Sequence, residues 1–420
     1  MKKIGVIADD FTGATDIAGF LVANGITTVQ VNGVPDHDLK VQVDSWVVSL
    51  KSRSCPKEEA VRDSLSALRW LQGQGCEQIY FKYCSTFDST ERGNIGPVID
   101  ALMQELETDQ TVVCPALPVN GRTIYKGYLF VYDQLLNESG MRNHPVTPMK
   151  DSKLSRVMES QSKGKAASLH VETLNAGVDA VKTFLKHSRE KGYSYVVLDA
   201  LDQAHLDIAA LALVDMPLIT GGSGLAASLA SLYCSDVMNK ANAIAGGRPK
   251  VAKTIILAGS CSEATNRQVS LYRNSADALK ISKDELIRDK DGYLKEVLDW
   301  LTPRLDDPFA PLVYATVPPE ELALSREKYP AGVVEEAIEA FFGDLAVELH
   351  RMGVRNYITA GGETSGKVVQ SLGIDSFFIG PQIDPGVPWL KAVEEDVYLV
   401  LKSGNFGSDD FFIKAQKEMV

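Results

Sequence analysis

Short apolar runs rich in β-branched residues alternate with segments of helical spacing along most of the chain. Apolar positions that recur every three or four residues indicate amphipathic helices, whereas short continuous apolar runs are typical of buried strands. Regular alternation of the two is the pattern of a parallel sheet covered by helices. The sequence therefore predicts an α/β fold with mainly parallel sheets.

The first half of the chain follows this alternation, with one departure from it. Arg122–Val131 has the pattern of a β-hairpin inserted into the α/β order, and Gly221–Gly224 is predicted to form a tight turn from strand to helix. The predicted strands are Lys3–Ala8, Ser45–Leu50, Gln78–Tyr83, Thr111–Cys114, Tyr195–Asp199 and Met216–Thr220. The predicted helices cover residues 15–24, 57–74, 94–107, 176–191 and 203–213.

A composition break near residue 245 divides the chain. Asn242–Lys253 is rich in small residues, basic, and contains Gly and Pro, which is typical of a linker. We therefore expect two α/β domains, residues 1–245 and 246–420. In the second, the predicted strands are Thr254–Leu257, Leu312–Thr316, Asn356–Thr359 and Ser376–Ile379, and the predicted helices cover 262–273, 319–328 and 333–352. Pro381–Pro388 is predicted to be a rigid structural loop.

The charge and cysteine content exclude several classes of function. The 420 residues include 43 Lys and Arg against 55 Asp and Glu, and the net charge of −12 argues against binding nucleic acid through a basic surface. The 6 Cys form no C-x-x-C pair, so neither a zinc site nor a disulfide framework is expected. No run approaches the roughly 20 apolar residues of a membrane helix, and no signal-peptide core follows the N-terminus. We expect a cytoplasmic protein with no membrane partner.

An acidic loop follows the first predicted strand. Residues 8–16 read ADDFTGATD, with Asp9 and Asp10 directly at the end of the strand. One interpretation is a helix N-cap made by Asp10 or Thr12. A single cap does not need two adjacent Asp, however. A carboxylate here could act as a general base on a substrate hydroxyl or orient several hydroxyls, and we favour this role for Asp10.

Basic side chains follow several of the predicted strands. A single Lys or Arg is usually a solvated surface residue, but repeated placement at strand ends suggests that these converge on one crevice and bind a carboxylate or phosphate. Asp88 lies among Ser and Thr residues, which could be substrate ligands or simply a capped turn. The basic residues in question are Lys51, Arg53, Lys82, Arg92 and Arg122.

Three glycine-containing loops stand out in the second half: 258–262 (AGSCS), 360–365 (AGGETS) and 403–407 (SGNFG). Glycine lets a backbone approach a phosphate closely, and the amides at a helix N-terminus bind the anion. The chain has no Walker A motif and no G-x-G-x-x-G after a strand. The loops together favour a nucleotide-phosphate site of another kind.

The order of the motifs along the chain resembles that of the four-carbon acid sugar kinase family. The resemblance runs essentially from end to end, and within the family the fit is closest to the kinases of 3-oxo-tetronates. The motifs that carry it are GVIADDFTGATDIAGFLV, SLKSRS, FKYCSTFDST, PALPVNGRTIYKGYLFV, HPVTPM, TGGSG, AGSCS, TAGGETS, PGVPWLKAVEED and LKSGNFG. Ala258 replaces a Ser that is frequent in relatives, at a position where the backbone makes the contact.

The resemblance implies an acid-sugar-binding domain at residues 1–245, an ATP-binding domain at 246–420, and an active site in the cleft between them. It implies transfer of the γ-phosphoryl group of ATP, with Mg²⁺, to the C4 hydroxyl of 3-dehydro-L-erythronate or 3-dehydro-D-erythronate. On this basis Asp10 is the candidate catalytic residue. The candidate substrate-binding residues are Asp9, Lys51, Arg53, Lys82, Asp88 and Arg122. The candidate ATP-binding residues are Ser260, Gly361, Gly362, Glu363, Thr364, Gly404 and Gly407.

Other functions stay open at this point. The acceptor could instead be D-threonate or D-erythronate, since epimers differ only in the direction of one hydroxyl. A nicotinamide-dependent dehydrogenase is disfavoured by the missing glycine fingerprint. A non-enzymatic sugar-binding protein would explain the N-terminal loops but leave AGGETS and SGNFG without a role. The sequence also leaves open the metal ligands and whether the chain forms a homo-oligomer.

Overall fold

The computed structural model describes residues 2–37, 39–144, 146–234, 237–318, 321, 328–330 and 332–419. The chain forms two compact units, Met1–Ala243 and Ile244–Val420. In the described residues, no helix is both long and apolar enough to cross a membrane. The predicted helix at 319–328 falls almost entirely outside the described residues.

The first unit is built on a parallel sheet whose strands run in the order β2-β3-β1-β4-β11-β5-β10-β9. A separate antiparallel sheet holds β6, β7 and β8. The strands are β1 (Ile4–Ala8), β2 (Thr28–Asn32), β3 (Ser45–Ser49), β4 (Gln78–Lys82), β5 (Thr111–Cys114), β6 (Arg122–Tyr125), β7 (Tyr128–Val131), β8 (Gln134–Leu135), β9 (Lys165–Leu169), β10 (Tyr193–Leu198) and β11 (Leu218–Gly221).

Helices cover the parallel sheet and bury its central strands along their whole length. Every residue of β1, β3 and β4 is buried, as expected when both faces of a parallel sheet are covered. The helices are α1 (Phe11–Ala23), α2 (Lys57–Gly73), α3 (Ile95–Glu105), α4 (Leu154–Gln161), α5 (Val171–Asn175), α6 (Val178–Glu190), α7 (Gln203–Leu213), α8 (Ser223–Tyr233) and α9 (Val237–Ala245), the last of which crosses the unit boundary.

The second unit holds a mixed sheet in the order β13-β14-β12-β15-β18-β17-β16. The first five of these strands are parallel, and β17 is antiparallel to both of its neighbours. The strands are β12 (Thr254–Ala258), β13 (Ala278–Lys280), β14 (Leu312–Tyr314), β15 (Asn356–Ala360), β16 (Ser376–Asp384), β17 (Val387–Ala392) and β18 (Tyr398–Lys402). The helices are α10 (Glu263–Tyr272), α11 (Lys283–Arg288), α12 (Lys290–Leu301), α13 (Val333–Arg351), α14 (Gly362–Ser371) and α15 (Phe411–Lys417).

The core of the second unit lies between this sheet and helices α10 and α15. Trp389 on β17 is fully buried and donates its indole N–H to the carbonyl of Ala415, 3.0 Å away. Phe411 and Phe412 pack in the same cluster, with Phe412 edge-on to Tyr272 at 5.7 Å between ring centres. A buried aromatic group of this size fixes the position of α15 against the sheet.

Two short segments were singled out by the sequence, with opposite outcomes. The hairpin at Arg122–Val131 is confirmed, because β6 and β7 pair antiparallel. The prediction of a rigid loop at Pro381–Pro388 is wrong, because β16 continues through Asp384 and β17 begins at Val387. The strand register shifts between Ile379 and Gln382, so Pro381 falls at an irregularity where its missing N–H breaks no regular ladder bond.

The α/β class itself is confirmed, and so is the strand-to-helix turn at Gly221–Gly224, since β11 ends at Gly221 and α8 begins at Ser223. Each of the first two glycines lies against a backbone carbonyl that a Cβ would strike. The strands that the sequence did not predict are β2, β8, β9, β13, β17 and β18.

Candidate functional site

Asp9 and Asp10 lie directly after β1, at the carboxyl edge of the parallel sheet. Arg53, in the loop after β3, donates two hydrogen bonds to the Asp9 carboxylate, from Nε to Oδ2 at 3.0 Å and from Nη2 to Oδ1 at 2.8 Å. Such a paired bond is the strongest arrangement between these two side chains. The backbone supports it, because the amides of Ser52 and Arg53 both donate to the carbonyl of Asp9.

Two further carboxylates lie around the same guanidinium. Arg53 Nη2 is 2.8 Å from Asp10 Oδ1, and Nη1 is 3.9 Å from Asp88 Oδ2. Burial raises the pKa of Asp9, and the charge of Arg53 opposes that rise. Burial alone would lower the pKa of Arg53, but Asp9 and Asp10 outweigh it, so the pKa of Arg53 lies above its ordinary value. One cation therefore holds three acidic groups together, and we call these four residues the Arg53 cluster.

Asp10 is also the N-cap of α1. Its Oδ1 accepts a hydrogen bond from the amide of Gly13 at 2.9 Å. A Cβ at Gly13 would overlap Asp10 Oδ1 and would lie 3.1 Å from Lys82 Nζ. Glycine is thus the residue that lets Asp10 and Lys82 share this space. Lys82 is buried at the end of β4 and donates to the carbonyl of Tyr83 at 2.9 Å.

Asn94 is a member of this region that the sequence did not single out. Its amide donates to the carbonyls of Ser52 at 2.8 Å and Cys55 at 2.9 Å, which ties the loop carrying Arg53 to the start of α3. Asp88 is oriented by the hydroxyl of Thr86, 2.6 Å from Oδ1. The residues that line a small pocket here are Asp9, Ser52, Arg53, Phe81, Asp88, Asn94, Ile95 and Val98.

The remaining basic residues lie elsewhere in the first unit. Lys51 and Arg92 are exposed. Arg122 begins β6, donates to the carbonyl of Asn120 and stacks over Tyr132 at 5.3 Å from the ring centre. Its described contacts are thus with its own hairpin. The structure brings Asp9, Asp10, Arg53, Lys82 and Asp88 together and shows no contact between this group and Lys51, Arg92 or Arg122 in the described residues.

A second candidate site lies in the second unit, at the carboxyl ends of β12 and β15. It is a cavity of about 310 Å³. Its walls combine loop backbone, apolar side chains and carboxylates. The residues that line it are Gly259, Ser260, Cys261, Lys283, Ala315, Val334, Glu335, Ile338, Glu339, Gly361, Gly362, Glu363 and Thr364.

Glycines bring the loops of this cavity into contact. A Cβ at Gly259 would overlap Thr364 Oγ1. Gly361 has a φ of +127°, which only glycine adopts readily, and a Cβ there would lie 3.1 Å from the amide nitrogen of Ser260. A Cβ at Gly404 would overlap the hydroxyl of Ser260. The loops after β12, β15 and β18 therefore meet at Ser260.

The start of α14 gives this cavity an anion-binding character. The helix begins at Gly362, so its first amides and the positive end of its dipole lie at the cavity wall. Carboxylates lie at another part of the wall, where burial and the neighbouring Glu363 raise the pKa of Glu339. In the described residues, no group of three or more His, Cys, Asp or Glu is arranged to hold a metal ion.

One face of α10 holds the loop after β18. The hydroxyls of Ser262 and Thr265 both donate to the carbonyl of Gly404, at 2.6 and 2.8 Å. One turn further along, the amide of Gln268 donates to the carbonyls of Phe406, Gly407 and Ser408 at 3.0 to 3.1 Å. The sequence had no signal for Gln268, because a lone Gln in a helix is usually a surface residue.

These features define a class of protein with two sites. One α/β unit carries a carboxylate and guanidinium cluster suited to a small polar substrate, and the other carries a glycine-lined anion site. The family comparison agrees with this division. Residues 4–229 match a family model described as a sugar-binding N-terminal domain, and residues 255–412 match one described as a nucleotide-binding C-terminal domain.

The chain belongs to the family of the 3-oxo-tetronate kinases. It is 53% identical over 421 residues to the 3-oxo-tetronate kinase of Pectobacterium atrosepticum, covering 100% of this chain and 99% of the relative. It is 52% identical to that of Brucella melitensis, covering 99% and 95%. A crystal structure of a Haemophilus influenzae protein, 51% identical, superposes with a TM-score of 0.93 over 99% of this chain and 100% of that one. The resemblance to acid sugar kinases is thus confirmed.

Proposed function

We propose that this chain transfers the γ-phosphoryl group of ATP to the C4 hydroxyl of a 3-oxo-tetronate, giving the 4-phosphate and ADP. The observation that carries the proposal is identity of 53% to a protein named 3-oxo-tetronate kinase, extending over 100% of this chain. Both candidate sites fall within the matched length. The C4 position rests on the resemblance of the motifs, and both enantiomers, 3-dehydro-L-erythronate and 3-dehydro-D-erythronate, are candidate substrates.

We assign substrate binding to residues 1–245 and nucleotide binding to residues 246–420. A 3-oxo-tetronate carries a carboxylate, a ketone and hydroxyls, which suits a site that combines cations with oriented carboxylates. Asp9 binds one edge of the Arg53 guanidinium, through Nε and Nη2. The other edge carries Nη1, which is 3.9 Å from Asp88 Oδ2. We assign this edge and Lys82 to the substrate carboxylate, with Lys51 and Arg122 as further candidates.

Asp10 is the proposed general base. Its Oδ1 already accepts from Gly13 and lies 2.8 Å from Arg53, so the carboxylate is held in one orientation. The opposite oxygen is then the one that meets the attacking hydroxyl. Phosphoryl transfer needs chiefly such positioning together with neutralisation of charge. Asp9 and Asp88 hold Arg53 and contribute acceptors for substrate hydroxyls.

The ATP phosphates are assigned to the loops that meet at Ser260. The residues involved are Ser260, Gly361, Gly362, Glu363, Thr364, Gly404 and Gly407. A Mg²⁺ ion would be held here chiefly by the ATP phosphates and water. When bound, it would neutralise charge on the transferred group.

The test is ADP release from Mg-ATP with a panel of four-carbon acids. The panel contains both enantiomers of 3-dehydro-erythronate, D-threonate, D-erythronate and a control without acid. Turnover confined to the keto acids is expected. Turnover on a plain tetronate would keep the kinase and overturn the keto-acid assignment. No turnover on any acid would overturn the proposed acceptor class.

A further inference from the structure

Lys402 is a fully buried lysine at the end of β18, and neither the motifs nor the proposed site assigns it a role. Its side chain is 0% exposed. The ammonium group donates to three neutral oxygens, those of the Thr265 hydroxyl and the Ser403 and Gly404 carbonyls, each at 3.1 Å. Three donors therefore meet three acceptors, and none of these acceptors carries a formal charge.

Lys402 connects the segments that build the nucleotide site, in part directly and in part through Gly404. Its carbonyl accepts from the amide of Gly361 at 2.8 Å, which holds the loop after β15. Its ammonium holds the loop after β18 and, through Thr265, the first turn of α10. The loop after β12 is reached through Gly404, whose α-carbon lies against the hydroxyl of Ser260. One residue thus connects all the loops assigned to ATP.

The bonds of Lys402 and α10 orient the peptide groups of residues 403–408. They bind the carbonyls of Ser403, Gly404, Phe406, Gly407 and Ser408. In a trans peptide the N–H points opposite to the C=O. Because these carbonyls point toward Lys402 and α10, the N–H groups that follow them point away from Lys402 and α10. Those of Asn405 and Gly407 are among them. Amides presented together in this way bind anions.

A buried charge without a counter-charge is costly, and in the described residues the charged groups around Lys402 either pair with one another or have solvent-accessible side chains. On α10, Arg267 pairs with Asp409 at 2.9 Å. Near α15, Lys414 pairs with Asp384 at 3.2 Å and with Asp410 at 3.3 Å. The first turns of α10 and α14 carry Glu263 and Glu363, both with exposed side chains, and β17 carries Lys391. Burial lowers the pKa of Lys402 to about 8, and no neighbouring charge offsets this.

We propose that Lys402 is a positioning residue of the nucleotide site, which fixes the Ser403–Gly407 loop and supplies the buried positive charge that a bound polyphosphate neutralises. The proposal rests on the proposed ATP site. It explains why a lysine, and not a neutral residue, occupies a position with three neutral acceptors. The missing counter-charge is then the ligand itself, acting through the loop, because protein oxygens already take all three donors of the Lys402 ammonium.

The test measures binding of ATP, ADP, AMP and adenosine by calorimetry to wild type, to Lys402→Met and to Lys250→Met. Lys250 is an exposed lysine paired with Asp396 and controls for the loss of one unit of charge. For Lys402→Met we expect ATP binding to weaken by about tenfold or more and adenosine binding by about twofold at most, because the electrostatic effect grows with ligand charge. Lys250→Met should bind all four ligands as wild type does.

The possible outcomes distinguish a failure of the Lys402 proposal from a failure of the proposed ATP site. If the wild type binds no ATP, the assignment of the nucleotide site is wrong, and the proposed role of Lys402 is overturned as well. If wild type binds ATP and Lys402→Met binds it equally well, only the role of Lys402 is overturned. Equal weakening for ATP and adenosine would show a purely structural role and would also overturn the proposal.

A measurement on the wild type covers the case in which the variant does not fold. Polyphosphates are fully ionised above neutral pH, so a fall in ATP affinity at higher pH reports on the protein. The pKa of Lys402 is about 8, so its charge is lost above that pH and ATP affinity should fall between about pH 7.5 and 9.5. Adenosine affinity should stay level over the same range. A level ATP affinity would contradict the proposal.

Discussion

Asp10 is both the cap of α1 and a member of the Arg53 cluster. The sequence offered a helix cap and a catalytic carboxylate as alternative interpretations, and the structure shows the cap, while the catalytic role is a proposal. The cap bond to Gly13 and the contact with Arg53 use the same oxygen, Oδ1. The capping geometry therefore orients the second oxygen, and a role in catalysis depends on that orientation.

Replacing Asp10 with Asn should separate the two roles. Asn caps helices about as well as Asp, so the fold should persist, while turnover should fall by roughly 10²- to 10⁴-fold with the loss of the base. ATP affinity should stay within about twofold, because the phosphate loops lie in the other unit. Steady-state kinetics and calorimetry measure these effects. The matched control is Asp202→Asn at the cap of α7, where the carboxylate accepts from the amide of His205 at 3.0 Å and turnover should not change.

Gly404 should tolerate no side chain, since a Cβ would overlap the hydroxyl of Ser260. For Gly404→Ala we expect the KM for ATP to rise by about tenfold or more with the displacement of the loop. Gly366→Ala is the control, because Gly366 lies inside α14 with open space where a Cβ would be built. That change should leave KM unaltered and stabilise the protein by about 0.5–1 kcal/mol. A Gly404→Ala enzyme with normal KM would show that this loop does not contact ATP.

At the level of single residues, motif and strand position were enough to find Asp9, Asp10, Arg53 and Lys82. They were not enough for Asn94, Gln268 or Lys402. Asn94 and Gln268 act by hydrogen bonding to backbone carbonyls of another loop, and Lys402 bonds the carbonyls of the loop that directly follows it. A contact to backbone places no requirement on the residue type of the partner, so the sequence carries no paired signal for it.

The hairpin of β6 and β7 is held to the parallel sheet by a few bonds at one end. Ile124 and Ala200 exchange backbone hydrogen bonds at 2.9 and 3.0 Å. Asp199, buried at the end of β10, accepts from the amides of Lys126 and Gly127 at 2.8 and 2.7 Å, one on each carboxylate oxygen. Burial raises the pKa of Asp199, and these backbone bonds oppose the rise. This carboxylate therefore fixes the turn between β6 and β7, while Ile124 and Leu129 hold the strands through backbone bonds to Ala200 and Ser152.

Asp199→Asn should loosen the hairpin, because the amide group of Asn has one acceptor oxygen where two N–H groups need one each. We expect a loss of about 1–3 kcal/mol in the free energy of unfolding, as for other buried donors left unpaired. Hydrogen exchange should accelerate at residues 122–131 in particular. The exposed Asp179→Asn serves as control. Unchanged exchange in the hairpin would show that its other backbone bonds are enough to hold it.

Some strands that the sequence missed are very short, since β8 has 2 residues and β13 has 3. β9 reads KAASL and has no β-branched residue, so its local composition favours a helix. The error at Pro381–Pro388 came from treating proline as a strand breaker, although an irregular antiparallel pair accommodates it. The central strands β1, β4, β12 and β15 were predicted well because they are short apolar runs buried on both faces.

At the scale of the whole molecule, the two candidate sites belong to different units of one chain. Residues Met1–Ala243 hold the Arg53 cluster, and Ile244–Val420 hold the glycine loops. Matches to separate family models over residues 4–229 and 255–412 follow the same division. The fold class could be predicted from alternation alone, whereas the pairing of sugar and nucleotide sites required the motifs of a family.

Each ligand should therefore protect its own set of loops from hydrogen exchange. ATP without acceptor should slow exchange at residues 259–265, 361–366 and 403–408, and the acid sugar without ATP should slow it at 9–13, 52–55 and 86–94. Mass spectrometry of peptides from the intact chain would measure both. Strong protection of the first set by the acid sugar alone would contradict the assignment of ligands to units.

The paired bonds between Asp9 and Arg53 also constrain how this protein can evolve. Replacing Arg53 leaves the buried Asp9 carboxylate without its guanidinium, replacing Asp9 removes both of the parallel bonds, and Lys cannot reproduce the two bonds of Arg. We therefore expect the Asp9 and Arg53 positions to be conserved together, because no single substitution at either one should give a functional protein. In a saturation library selected for growth on the acid sugar, both should remain fixed, while the exposed Lys57 nearby should accept most amino acids.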